Sequence, residues 1–412
     1  MNDDKLRNIV IINDYARVEG GAAKVAIASA RGLALAGYNV TYIFAVGPAS
    51  DDLEHSNIEL IDLKQYDLLD NPNRVEASLK GIWNARSYKV IKNCLSHFNP
   101  NNTIVHIHTW VKSLSISAVS AVISSNVPRV LTLHDYFSIC PNGGLYNYQQ
   151  ESICHKKPMS MDCITTNCDA RSYSHKFWRV LRQFVYKPVG FNKGIKNFIS
   201  VSDYSESVLK PLLPSDALFW RVGNPIDIQK VSPATPGNAR YYTFIGRLSA
   251  EKGALLLAKV KNVTSDRLRF IGRGEISNQL KELLPEAEFV GWIDSDQVKN
   301  YLQDTRALLF PSRSYETQGL VVLEAAALGV PAIVASQTAA TDYVIHNDTG
   351  LLFETGDSIS LDQQLAVLEC DETVNRLGAQ AYRKFWQSQP NLESHVAELV
   401  TCYTAILNNE TD

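Results

Sequence analysis

The chain has 412 residues, of which 45% are hydrophobic and 20% charged, with a formal net charge of -3. That length suggests two domains, each able to bury its own core, and the composition is that of a soluble globular protein. The charge balance gives no whole-chain attraction to nucleic acid, and no apolar stretch nears the length of a membrane span.

Residues 1–7 are charged, carry no signal peptide, and run into a first strand over 9–12. The loop from Asn13 to Gly21 leads to a helix that begins near Ala22, with Ala22, Val25, Ala26, Ser29 and Leu33 on one face. Gly20 and Gly21 stand where free helix N–H groups attract anions and a missing Cβ lets a phosphate or sugar approach. A glycine turn with only a packing role is the competing reading. The absence of Gly-x-Gly-x-x-Gly argues against a nicotinamide enzyme.

Further strands are expected at 40–45, 103–108, 129–133 and 197–201, alternating with amphipathic helices. This predicts a parallel α/β sheet. His134 and Asp135 close the strand 129–133 at its ligand-facing end. His106 and His108 share one face of the preceding strand and read as structural, or one of them as facing an acceptor. Ser202 reads as a helix N-cap.

A polar segment breaks this rhythm over about 138–175. It holds Cys140, Cys154, Cys163 and Cys168, with His155 and His175 nearby. Four thiols in a loop-rich insertion suit a structural zinc ion, yet no Cys-x2-Cys is present and free thiols compete. The odd total of seven cysteines fits a reducing compartment, so the expected location is cytoplasmic. Between Asp169 and Asp203 there are seven basic residues and no acidic one, interleaved with Phe177, Trp178, Leu181, Phe184, Val185 and Tyr186. Such a surface over 171–196 suits anionic lipid headgroups or a lipid-diphosphate acceptor, at the inner face of the membrane. A solvated helix with one core face is the alternative.

Residues 223–237 hold three prolines and two glycines and read as a linker. A second strand series follows at 241–245, 268–271, 288–290, 307–311 and 331–335. After its first strand, Gly246-Arg247-Leu248-Ser249-Ala250-Glu251-Lys252-Gly253 turns into a helix. Arg247 and Lys252 there suit a diphosphate leaving group, whose developing charge they would neutralise; a surface ion pair with Glu251 is the plain alternative. Gly272-Arg273-Gly274-Glu275 is a further tight turn at a strand end.

From Pro311 the chain reads as a polar loop, then Gly319, then an apolar helix ending at Gly329 before a buried strand. Glu316 lies in the loop and Glu324 about one turn inside the helix. Eight residues at helical rise reach about 12 Å at most. That span suits a ligand with hydroxyls at both ends and a diphosphate at the helix N-terminus, such as a nucleotide sugar. The last helix, after Pro390, has Val396, Leu399, Val400 and Tyr403 as its apolar positions.

The stretch from Glu316 to Glu324 resembles the Glu-x7-Glu signature, and Gly246 to Gly253 the Gly-Arg-x4-Lys-Gly motif, of retaining nucleotide-sugar glycosyltransferases of the two-Rossmann-domain (GT-B) type, family 4. The Gly-Val-Pro exit at 329–331 and Asn347-Asp348-Thr349-Gly350-Leu351-Leu352 continue the likeness. One departure is Glu316-Thr317-Gln318-Gly319, where Glu-Gly-Phe-Gly is common. The resemblance implies an α/β GT-B architecture, two doubly wound Rossmann-like domains facing a cleft. It divides the chain into 1–224 on the acceptor side, 225–390 for the nucleotide sugar, and a C-terminal helix 391–412 crossing back. It implies that Glu316 contacts the donor sugar and Glu324 the ribose, with Arg247, Lys252 and the Gly319 and Leu320 amides on the diphosphate. Gly246, Thr317 and Gln318 line the same site, and Gly272 and Gly274 border the nucleobase. Gly20 and Gly21 face donor and acceptor, and His134 bonds a donor-sugar hydroxyl. The implied donor is a nucleoside diphosphate sugar, with UDP favoured over GDP, and no cofactor is required for catalysis. The implied acceptor is a glycan or lipid-linked hydroxyl. A sugar-nucleotide epimerase, a phosphorylase, or a non-catalytic glycan-assembly subunit remain as rivals.

Overall fold

A computed structural model describes residues 6–388 and 390–410; the remainder of the charged start, residues 1–5, lies outside the described residues. The strands are β1 (Asn8–Tyr15), β2 (Asn39–Val46), β3 (Ile58–Asp62), β4 (Thr103–Ile107), β5 (Arg129–Thr132), β6 (Tyr146–Asn147), β7 (Ser152–Ile153), β8 (Asn197–Ser200) and β9 (Leu218–Arg221) in the first half. The second half holds β10 (Tyr241–Ile245), β11 (Leu268–Ile271), β12 (Glu288–Gly291), β13 (Thr305–Phe310), β14 (Ala332–Ala335) and β15 (Gly350–Phe353).

These strands form two open sheets, ordered β3-β2-β1-β4-β5-β8-β9 and β12-β11-β10-β13-β14-β15, with β6 and β7 as a separate hairpin. Every pairing within the two large sheets is parallel. Parallel strands are covered on both faces, so β1 and β13 read as near-continuous buried runs. In each sheet the order reverses at the first strand. The loops after β1 and β4, and those after β10 and β13, therefore diverge to leave a crevice at the strands' carboxyl ends.

The two faces of β1 feed two cores. Val10 and Ile12 pack with Ile43, Val105, Ile107 and the helix Ile116–Ile123. Ile9 and Ile11 pack with Tyr42, Phe44, Ile104 and two helices, Gly21–Leu35 and Leu392–Glu410. The latter is the C-terminal helix, so the chain returns to the first sheet after building the second. A Cβ on Gly32 would stand 2.5 Å from Val396 Cγ2, which shows how closely the two helices approach.

Edge strands β3, β9 and β15 were not expected. The edge strand β3 is mostly solvent-facing and carries Glu59 and Asp62, so its sequence lacks the alternation of a half-buried strand. One expectation is corrected. The turn after β10 does not enter an α-helix; it continues as two 3-10 segments, Ala250–Lys252 and Ala254–Lys259. Gly253 between them has φ 72, and a Cβ there would lie 1.9 Å from the Pro311 carbonyl oxygen. The backbone is thus pinned to the neighbouring loop, and a regular helix start is lost. No helix of the described residues is long and apolar enough to cross a membrane.

Gly32→Val would force the two packed helices apart. A loss of about 1–3 kcal/mol is expected, as for other overpacked cores. Urea unfolding should show a lower midpoint at unchanged slope; an unaltered midpoint would mean that the helices do not depend on this contact.

Candidate active site

Most of the expected residues come together at the crevice between the sheets. Glu316 follows β13 and has φ 52, a left-handed backbone that a non-glycine residue rarely adopts. Its carboxylate accepts from Lys252 Nζ at 2.6 and 2.8 Å and from Ser312 Oγ at 2.7 Å. Lys252 thus pairs with Glu316 rather than with Glu251, whose carboxylate takes the Ser249 hydroxyl at 2.7 Å. Strain at a residue held by three such bonds is strain that its surroundings over-determine. Arg247, five residues before Lys252, is exposed.

The Glu316 loop also touches the first domain. Tyr136 Oη donates to the Glu316 carbonyl at 2.8 Å, and Thr317 Oγ1 donates to the His134 carbonyl at 3.1 Å. Gln318 is buried and its Nε2 donates to Tyr343 Oη at 3.0 Å. Gly319, with φ 84, opens the helix Leu320–Ala327, which has no side-chain cap. The first N–H groups of a helix lack intrahelical partners and attract anions. Across the gap, a Cβ on Gly21 would lie 3.5 Å from Leu320 Cδ1, and Gly20 has open space where its Cβ would be. Glu324, inside this helix, pairs with Lys24 Nζ at 3.6 Å. Glu316 and Glu324 are therefore each held by a lysine from a different segment.

Gly272 and Gly274 have a packing task. A Cβ on them would lie 1.9 Å from the Gly246 carbonyl and 2.0 Å from the Leu248 carbonyl. They seat their turn against the Gly246–Leu248 backbone, which sets where Arg247 can stand.

His134 is linked through Nε2 to His108 Nδ1 at 2.8 Å, and His106 bonds Tyr403 Oη and Thr132 Oγ1, both at 2.6 Å. His106 is thus structural, tied to the C-terminal helix, while His108 buttresses His134. Burial lowers all three, with the His134 imidazole brought down to about 3. His134 is accordingly neutral at physiological pH and acts as a hydrogen-bonding group rather than as a cation. Asp135 moves the other way, up to about 6, chiefly through burial. Ser202 caps the helix Asp203–Leu209, its Oγ accepting from Ser205 N at 2.9 Å.

The cysteines do not assemble as a zinc site. Cys140, Cys163 and Cys168 are buried and Cys154 partly so, yet no group of three or more His, Cys, Asp or Glu among the described residues is arranged to hold a metal ion. The cation beside these sulfurs is the ammonium of the fully buried Lys176, 3.6 Å from Cys163 Sγ. Asn142 Nδ2 lies 3.3 Å from Cys168 Sγ. Among the described residues, a lysine supplies the charge that these thiols face.

Sequence reasoning missed Ser312, Tyr136 and Lys24. Ser312 sits inside the quoted loop, and Lys24 is a cation in the first turn of a helix, where the dipole disfavours one. Both signals were available. Tyr136 carried none, because only the fold brings it to Glu316.

Two Rossmann-like domains opposed across a loop-lined crevice are the GT-B architecture, and the chain belongs to that class. Its solved likenesses include a sucrose-phosphate synthase from Thermosynechococcus elongatus, 19% identical with TM-score 0.71 over 98% of this chain and 100% of that one. Anabaena HepE in complex with UDP and glucose is 17% identical with TM-score 0.67, over 97% of this chain and 100% of that one. Residues 225–384 match the family model for glycosyl transferases group 1. Among curated relatives, the sulfoquinovosyl transferase of Arabidopsis thaliana is 31% identical over 34% of this chain and 28% of its own length. The N-acetyl-alpha-D-glucosaminyl L-malate synthase of Bacillus anthracis is 29% identical over 37% of this chain and 41% of its own length. The chain thus spans less than half the length of these curated relatives.

Acidification should unfold the protein early. His106, His108, His134 and His395 all have lowered values, His395 reaching about 4. Each holds its full stabilising effect above about 6.5, the unfolded value, and loses it as pH falls toward the folded one. Asp135, Asp14 and Asp342 are raised and act in the opposite sense, favouring the fold at low pH. Four imidazoles against three carboxyls give a net loss on acidification. Melting temperature should fall between about pH 6.5 and pH 4, and a flat profile over that window would contradict the neutral assignment.

Proposed function

We propose that this protein transfers a glycosyl group, with retention, from a nucleoside diphosphate sugar to an acceptor hydroxyl. The observation that carries the reading is the Lys252–Glu316 pair at the crevice between the two sheets. Lys252 and Arg247 serve the diphosphate, with the uncapped amides at Gly319 and Leu320 assisting. Glu316 holds the donor sugar and Glu324 the ribose. When a diphosphate enters, Lys252 has a second anion to meet, and Glu316 is released toward the sugar while Ser312 keeps it in place. His134, as a neutral imidazole, bonds a sugar hydroxyl. Retention fits a front-side route in which the leaving phosphate oxygen takes the acceptor proton, because no separate nucleophile is required of the residues gathered here. A UDP-linked donor is favoured. Anabaena HepE is solved with UDP, which supports this choice by fold likeness alone.

The acceptor is a glycan or lipid-linked hydroxyl presented from the first domain. Support comes from the helix Tyr173–Phe184, where Tyr173, Phe177, Leu181 and Phe184 are exposed on one stripe next to Lys187 and Lys193. An apolar stripe beside lysines suits peripheral contact with an anionic bilayer. Sedimentation with phosphatidylglycerol vesicles at low salt should retain the protein, and Phe177→Ser with Phe184→Ser should release it. Failure of the wild type to sediment would remove the membrane from the proposal.

Lys252→Ala should lower kcat on the order of 10²–10³-fold, as loss of one preorganised electrostatic donor does. Glu316→Gln should do likewise while leaving the melting profile nearly intact. Transfer measured with a panel of nucleotide sugars decides the matter. Turnover of donor alone, without acceptor, would instead favour an epimerase, and no nucleotide binding at all would favour a non-catalytic subunit.

A further inference from the structure

A cationic cavity lies in the first domain. It has a volume of about 480 Å³ and is enclosed by the segment 67–69, the helix Arg74–Ile82, residues 111–112, Phe137 and one side of the helix Tyr173–Phe184. Five cations line it, namely Arg74, Lys112, Arg171, Arg179 and Arg182, against one carboxylate, Asp67. That carboxylate is engaged by the Tyr15 hydroxyl and the Leu69 N–H. Asp169, outside the lining, pairs with Arg179 at 3.1 Å and Arg171 at 3.8 Å. Positive charge remains in excess.

Arg182 is the telling residue. It is 5% exposed, and its guanidinium lies between the rings of Phe137 and Trp178 at 5.1 and 5.3 Å. Nη1 donates to the Val111 carbonyl at 3.3 Å, whereas Nε and Nη2 are buried with no hydrogen-bond partner. A buried guanidinium with two orphan donors is costly unless an oxyanion meets it, and the Nε/Nη2 edge matches two oxygens of one phosphate. Trp178 is itself fixed, donating from Nε1 to the Ser78 carbonyl at 3.2 Å and lying 2.6 Å from where a Cβ on Gly81 would be.

We propose that this cavity binds the phosphate or diphosphate of the sugar acceptor. The word acceptor rests on the transferase reading; the anion site does not. Its place supports the assignment, because Phe137 in the cavity wall adjoins Tyr136, whose hydroxyl bonds the Glu316 carbonyl. One turn of chain, 136–137, thus reaches both the cavity and the crevice.

Calorimetry on the full chain with inorganic pyrophosphate tests the site. Binding should weaken about tenfold or more in Arg182→Gln and severalfold in Lys112→Gln and Arg171→Gln, and should survive Lys252→Ala. Arg182 is buried and its variant can fail to fold, so the two exposed variants keep the test decisive. Pyrophosphate binding that ignores all three substitutions, or that vanishes in Lys252→Ala, would overturn the site. Competition against pyrophosphate by a sugar 1-phosphate or by a short prenyl diphosphate supports it and names the source of the anion. If neither competes, the assignment to an acceptor falls. Nucleotide binding is measured separately on the wild type. Its absence would sink the transferase reading while leaving the anion result standing.

Discussion

Arg313 donates its backbone N–H to the Glu251 carbonyl at 2.8 Å, and Ser312 Oγ lies 3.2 Å from the same oxygen. These contacts lock the turn after β10 to the loop after β13, and the geometry of the crevice follows from them. Lys252 is the next residue on one side, and Glu316 lies a few residues on along the other. Because Gly253 allows the Pro311 carbonyl to come within reach, the two loops approach more closely than a side chain would permit. The Lys252–Glu316 pair is the outcome of that approach. Partial burial of both groups gives it more weight than a surface pair.

The first domain meets this unit through Tyr315, which packs on its core, through the Arg313–Glu151 pair, and through polar contacts at the crevice. His134, Tyr136 and Lys24 each reach the segment 316–324, and all three come from the ends of parallel strands or the helix just after one. Behind His134 stands a chain of aromatic and imidazole groups that ends at Tyr403 of the C-terminal helix. His108 stacks near His134 with centroids 5.1 Å apart, and His106 lies 4.0 Å from His108. The orientation of a residue at the crevice is therefore set partly by the last helix of the chain.

Much of this was legible in the sequence because it is written in short, local patterns. The largely buried stretches that make β1 (Ile and Val), β10 (Tyr242, Phe244 and Ile245) and β13 (Leu308, Leu309 and Phe310) stand out as short apolar segments. The loops that follow them carry Gly246, Lys252 and Glu316 at fixed distances from strand ends, so motif and topology point to the same place. What was not legible depends on non-local packing. The edge strand β3 owes its form to pairing with β2 through Val40 and Ile58 rather than to its own composition. The 3-10 path after Lys252 reflects the Pro311 carbonyl, nearly sixty residues away in sequence. The thiols gave a spacing but no partner, and only the fold brings the Lys176 ammonium among them.

The return of residues 392–410 to the first sheet has a consequence for synthesis. The face of that sheet built from Ile9, Ile11, Tyr42 and Phe44 is covered in part by Leu399, Tyr403 and Ile406. A chain emerging from the ribosome presents this face long before its cover has been translated. The domain that is made first is thus the last to be finished, and throughout elongation it carries an apolar surface that a chaperone or the growing second domain must shield.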